Sequence, residues 1–157
     1  EDNPKVGGRR FKRYLDIYEE HLGINAKTFP GIDEVISAIE GLGINWGIVT
    51  NKSKRFAKPL LRKLELLNRT ACLVCGDTTN NLKPDPEPIN YALSFLKTKN
   101  TKKSFYIGDS KKDVDAAKSA GISSIACTYG YIYDSTNPKD WKADFYVDHA
   151  LEILDVI

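Results

Sequence analysis

The chain has 157 residues, with 23 Lys plus Arg against 21 Asp plus Glu, a formal net charge of +2. That length suits one domain of ordinary size, and with 41% hydrophobic and 28% charged residues the composition is globular, not disordered. The near-balance of charge argues against an electrostatically driven nucleic-acid binder. No apolar run reaches the length of a membrane span and no signal-peptide pattern opens the chain, so the cytoplasm is the expected compartment.

Residues 1–10 are polar and basic and read as a loose lead-in. From Phe11, the apolar positions Tyr14, Leu15, Tyr18 and Leu22 follow helical spacing to a stop at Gly23. After Pro30-Gly31, the positions Ile32, Val35, Ile36, Ile39 and Leu42 predict a second helix, facing inward and ending at Gly43. Strand and helix then alternate. Trp46–Val49 predicts a strand, and Ser53 caps a predicted helix to about Leu67, with Phe56, Leu60, Leu61 and Leu64 inward and Pro59 bending or loosening it. Cys72–Cys75 reads as a second strand, and Asp85-Pro86 opens a helix that buries Ile89, Leu93 and Leu96. Phe105–Ile107 is a third strand, Asp113–Ala120 a short helix closed by Gly121, and Ser124–Cys127 a fourth strand. Tyr146-Val147 falls in a weak fifth strand, followed by a terminal helix over Ala150–Val156. The alternation predicts an α/β fold, a Rossmann-like parallel sheet with helices on both faces. Ligands of such sheets bind outside the carboxyl ends of the strands.

Cys72 and Cys75 have the spacing of a redox pair or half a zinc site. In a strand, however, i and i+3 point to opposite faces, and no second Cys/His pair follows, so buried thiols are expected. His21 and His149 have no partners at ligand spacing, and no nucleic-acid module accompanies the basic cluster Lys5, Arg9, Arg10, Lys12 and Arg13.

Three polar clusters fall at the predicted strand ends. Thr50-Asn51 brings a hydroxyl, an amide and backbone N–H groups to a helix start, which suits an anion or simply caps the helix. Lys83 stands in Lys83-Pro84-Asp85-Pro86, a stiff support for a phosphate-binding charge or a solvated loop lysine. Asp109 lies at a strand tip after Gly108, with Asp113 in the first turn of the next helix. That pair suits Mg²⁺ with waters and substrate phosphate, or serves as a cap and a dipole-stabilising acid. Separate capping explains each cluster but explains their co-location poorly, which favours phosphoryl chemistry. Lys52, Lys54 and Arg55 could steer an anion, but a solvated helix face is the simpler reading.

The set Val49-Thr50-Asn51, Lys83-Pro84-Asp85-Pro86 and Gly108-Asp109-Ser110 with Asp113-Val114-Asp115-Ala116-Ala117 resembles the second, third and fourth motifs of haloacid-dehalogenase-type phosphatases. Thr128-Tyr129-Gly130-Tyr131 strengthens a resemblance to the phosphoglycolate phosphatase group. Trp46-Gly47-Ile48, Pro86-Glu87-Pro88 and the stretch from Tyr129 through Pro138, Trp141, Ala143 and Asp144 also resemble the sister group of N-acetylmuramic acid 6-phosphate phosphatases. The resemblance covers roughly residue 9 to the end. It implies that Thr50 and Asn51 hold the transferring phosphoryl group and that Lys83 neutralises its charge. It further implies that Asp109 ligates Mg²⁺, with Asp113 supporting the metal through water or by orienting Lys83. The expected substrate is a small phosphorylated metabolite, 2-phosphoglycolate first and N-acetylmuramic acid 6-phosphate second. The alternative of another class is a non-catalytic phosphate-binding or interaction module.

The family's first motif, an Asp-x-Asp-Gly-Thr stretch on the central first strand, has no counterpart here: the one Asp-x-Asp, Asp113-Val114-Asp115, belongs to the fourth motif. With no methionine and Glu1 at the start, the chain reads as the C-terminal portion of a phosphatase. On that reading residues 1–27 are the remnant of a helical cap and its linker, and residues 28–157 are the core without its first strand. Such a chain on its own is expected to be inactive, because the missing motif supplies the nucleophile. The gap left between the strands ending at Thr50 and Asp109 is expected to close by direct pairing, by a second copy, or by a separate N-terminal segment.

Overall fold

The computed structural model describes residues 8–96, 103–132 and 136–157. Helices α1 (Arg9–His21) and α2 (Ile32–Gly41) precede β1 (Gly47–Val49), α3 (Lys54–Lys63), β2 (Cys72–Val74) and α4 (Glu87–Leu96). Then come β3 (Phe105–Gly108), α5 (Lys111–Ser119), β4 (Ser123–Cys127), a 3₁₀ turn at Pro138–Trp141, β5 (Phe145–Val147), a 3₁₀ turn at Ala150–Glu152 and α6 (Ile153–Val156). Of the N-terminal lead-in, residues 1–7 lie outside the described residues, and Arg9 and Arg10 already belong to α1.

Among the described residues all strand pairs are parallel, as the alternation predicts, but they form two sheets: β1 with β2, and β3-β4-β5. Direct pairing across the gap is therefore not what happens. Along a strand, successive residues aim their backbone groups at opposite edges. Thr50 donates its N–H to Val74 and Ser104 accepts from Ser123, which turns the N–H and C=O of Val49 and Ile107 toward the edges away from β2 and β4. Two helical layers hold the sheets together instead. On one face α2 spans both, with Val35 packed among Ile125, Cys127, Val147 and Ile153 and Ile36 packed among Leu61, Leu66 and Ile48. On the other, Ile89 of α4 and Ala116 and Ala117 of α5 enclose Val49 from one sheet and Tyr106 from the other.

Three boundaries differ from expectation for local reasons. α3 stops at Lys63, not Leu67, because Glu65 takes a left-handed φ of 59° and the N–H groups of Leu66 and Leu67 turn back onto the Leu61 carbonyl. Pro59 sits inside α3 without ending it. Leu42, expected inward, lies past the last turn of α2 and is 73% exposed. The terminal helix is realised as a 3₁₀ turn followed by α6. The three cysteines are free, and burial pushes each thiol up.

β5 is tied to the start of β4 by Asp144, whose Oδ2 accepts from the Ser124 N–H at 2.8 Å and hydroxyl at 2.7 Å. Those bonds hold the Asp144 carboxyl below its usual range. Its stabilisation is thus present above the ordinary Asp value of about 3.9 and is lost as pH falls through the lower folded value. Asp144→Asn should flatten the acid limb of the stability–pH curve. The core makes a sharper expectation: Ile125→Ala, at 1% exposure, should cost about 2–5 kcal/mol. Leu42→Ala should stay within about 0.5 kcal/mol in the same denaturant titration.

Candidate active site

The turn after β1 carries Thr50 and Asn51, both half-buried and hydrogen-bonded within the protein. The Thr50 hydroxyl accepts the Lys52 N–H at 3.1 Å. The Asn51 amide clasps the backbone of Lys83, donating from Nδ2 to the carbonyl at 2.9 Å while Oδ1 accepts the N–H at 3.0 Å. This two-bond clamp does the work of a strand pairing between the loops that follow β1 and β2. At the first turn of α3, the Lys54 N–H donates to Asp77 Oδ1 at 2.8 Å, so a carboxylate already occupies part of the helix start expected to bind an anion.

Lys83 reaches inward. Its Nζ lies 2.7 Å from Asp113 Oδ1, 2.7 Å from the Tyr106 hydroxyl and 3.0 Å from the Val49 carbonyl, and the Lys83 and Asp113 side chains are each 10% exposed. The second oxygen of Asp113 accepts from the Ser110 N–H at 3.2 Å and hydroxyl at 2.7 Å, closing the first turn of α5. Asp109 rests on the loop after β4, where the Tyr131 N–H donates to its Oδ2 at 2.9 Å. Two glycines permit these approaches: a Cβ on Gly108 would overlap Asp113, and one on Gly130 would overlap Asp109.

All five expected residues therefore sit at the carboxyl ends of β1 and β3 or in the loop after β2. Lys83, Asp113 and Asn51 share one hydrogen-bonded network, Asp109 borders it, and Thr50 adjoins it through the chain. Of the three cations considered for steering, Arg55 is paired with Asp16 and Glu19 of α1 and Lys52 is hydrogen-bonded to Tyr18. Sequence reasoning missed Tyr106. The one available signal was a phenol in a strand otherwise made of apolar residues, since a buried Tyr hydroxyl needs a partner. Burial, reinforced by the nearby Asp113 charge, pushes that phenol far up, so it stays protonated.

Among the described residues, no group of three or more His, Cys, Asp or Glu side chains is placed to hold a metal. Mg²⁺ asks for less: one or two carboxylates, with waters and substrate phosphate completing the octahedron. Asp109 meets that requirement, with one oxygen on the Tyr131 N–H. Both oxygens of Asp113 are committed to Lys83 and Ser110.

Residues 2–127 match the profile of the haloacid dehalogenase-like hydrolases. The chain belongs to that family. It is 40% identical over 156 residues to the N-acetylmuramic acid 6-phosphate phosphatase of Pseudomonas aeruginosa, a match covering 99% of this chain and 68% of that protein. It is 36% identical over 142 residues to the phosphoglycolate phosphatase of Xanthomonas campestris pv. campestris, covering 90% of this chain and 64% of that one. The crystal structure of a predicted phosphoglycolate phosphatase from Haemophilus somnus 129PT superposes with a TM-score of 0.85 at 28% identity, over 93% of this chain and 64% of that one. The chain thus spans about two thirds of the length of its haloacid dehalogenase-like relatives.

If the Asn51 clamp fixes the Lys83 loop, Asn51→Ala leaves a backbone N–H and C=O without partners and should cost about 1–3 kcal/mol. Hydrogen exchange at the Lys83 amide should quicken accordingly, and unchanged protection there would refute the clamp.

Proposed function

We propose that the protein is a Mg²⁺-dependent phosphomonoester phosphatase working through an aspartyl-phosphate, its nucleophile carried on polypeptide outside these 157 residues. The observation that carries this reading is the nearly buried Lys83–Asp113 ion pair at the sheet edge beside Asp109, in a chain of this family. Phosphoryl transfer depends mostly on positioning and charge stabilisation, and this network supplies both.

In this reading Lys83 neutralises the phosphoryl group, and Thr50 and the loop fixed by Asn51 position it. Asp113 supports the site by orienting Lys83 from the rear, while Asp109 holds Mg²⁺. The bound ion supplies Lewis-acid stabilisation of the charge on the phosphoryl oxygens. A further strand lies between β1 and β3, where the Val49 N–H and the backbone groups of Ile107 face unpaired edges, with the Val49 carbonyl left to Lys83 and Tyr106; polypeptide outside these residues or a second copy supplies it. The compartment is the cytoplasm; among the described residues no helix is long and apolar enough to cross a membrane.

For the substrate, the 40% identity along nearly the whole chain favours N-acetylmuramic acid 6-phosphate. The 36% relatives and the superposed structure support 2-phosphoglycolate as the second reading. The test is turnover of both esters by the product of the complete gene, with Mg²⁺ and with chelator. The expected result is Mg²⁺-dependent phosphate release, faster on the sugar phosphate, with kcat lowered on the order of 10²–10³-fold by Lys83→Ala. Release from neither ester, with inorganic phosphate still bound, would replace the phosphatase by a non-catalytic phosphate-binding module.

A further inference from the structure

We infer that Tyr106 is a positioning residue of this site, its hydroxyl holding the Lys83 ammonium in place across the gap between the two sheets. The inference rests on the phosphatase reading only in its kinetic consequences.

The count of donors and acceptors carries it. A lysine ammonium has three N–H donors and no acceptor. All three are matched inside the protein, by Asp113 Oδ1, the Tyr106 hydroxyl and the Val49 carbonyl. The Tyr106 hydroxyl accepts from Lys83 and donates its own proton to the same Val49 carbonyl at 2.9 Å. That carbonyl stands on the unpaired edge of β1, where no strand N–H reaches it among the described residues. Lys83, Tyr106 and Val49 thus close a ring of three hydrogen bonds, and Asp113 pulls on it from one side.

The ring is anchored on β3. The Tyr106 side chain packs with Ile89, Ala116, Ala117 and Ile122, and Lys83 Nζ lies 5.2 Å from its ring centroid. A rotation that took the hydroxyl off Lys83 would have to break that packing. Asp113 alone fixes the distance of the ammonium but not its direction, because a single ion pair leaves the lysine stem free to swing. Two neutral oxygens set the direction. They are also the partners most easily exchanged for an anionic phosphoryl oxygen, since a charged acceptor binds an ammonium more strongly than a neutral one. Asp113 keeps its bond throughout.

Tyr106→Phe tests this. It preserves the packed ring, removes one oxygen and leaves Val49 the Lys83 donor, so the fold should hold, with a thermal midpoint lowered by only a few degrees. In the product of the complete gene, labelled with ¹⁵N, the wild-type Lys83 ammonium should give a resolved signal with slow proton exchange. Exchange in Tyr106→Phe should be at least about tenfold faster, the loss of one charge-assisted hydrogen bond. Unchanged exchange would overturn the inference. In the product of the complete gene, Tyr106→Phe should lower kcat/KM about tenfold. The same substitution should cost nothing further in a Lys83→Ala background, whereas additive losses would show that Tyr106 acts independently of Lys83 and would overturn it. Absence of turnover in the wild type would sink the phosphatase reading, while the ammonium exchange would still decide the role of Tyr106.

Discussion

A charge taken out of water must be paired and hydrogen-bonded, and the pair of Lys83 with Asp113 imposes that demand on everything around it. Each partner has further valences to fill. Asp113 fills them with Ser110, which makes the first turn of α5 part of the ion pair. Lys83 fills them with Tyr106 and Val49, which makes the ion pair part of the link between the sheets. Gly108 is required because any side chain there would collide with Asp113. Even the loop that presents Lys83 is fixed from a distance, by the Asn51 clamp. Loss of Lys83 or Asp113 would leave the other charge buried without its partner, so the pair behaves as a unit.

The same demand explains how two sheets serve as one layer. Nothing among the described residues joins β1 to β3 through a backbone ladder. The hydrophobic contacts of α2 on one face and of α4 and α5 on the other align the sheets, but apolar contacts are non-directional and set no register. Direction comes from the polar ring of Lys83, Tyr106 and Val49, which spans the gap at its carboxyl end. The strand ends, where the chemistry of such a fold resides, are therefore the part of the gap with fixed geometry.

The element order was legible because strand and helix periodicities differ and glycine and proline punctuate them. Boundaries failed where the signal was tertiary: Glu65 ends α3 in a left-handed conformation that no glycine announces, and Leu42 satisfied the helical spacing one turn too far. The residues of the candidate site were legible as types at strand ends. Their division of labour was not. Asn51 read as a donor to an anion, yet its amide is spent on the Lys83 backbone 32 positions away, a partner that local spacing does not reveal. Asp113 read equally as a helix acid or as a metal supporter. It closes the first turn of α5 and also grips Lys83, because a carboxylate has lone pairs enough for both.

Capping and ligand binding look like rival explanations for these polar clusters, yet one side chain can answer both kinds of demand. A helix start needs acceptors for its N–H groups, a buried lysine needs acceptors for its own, and both lie at the carboxyl edge of a parallel sheet. One carboxylate can satisfy the two demands when Ser110 stands three residues before Asp113 and Lys83 arrives from the neighbouring loop. The arrangement thereby fixes a positive charge at the carboxyl edge of the sheet, on which Asp109 also lies. A positive charge held in place, with the surrounding polar groups satisfied by the fold, is preorganised for an anion.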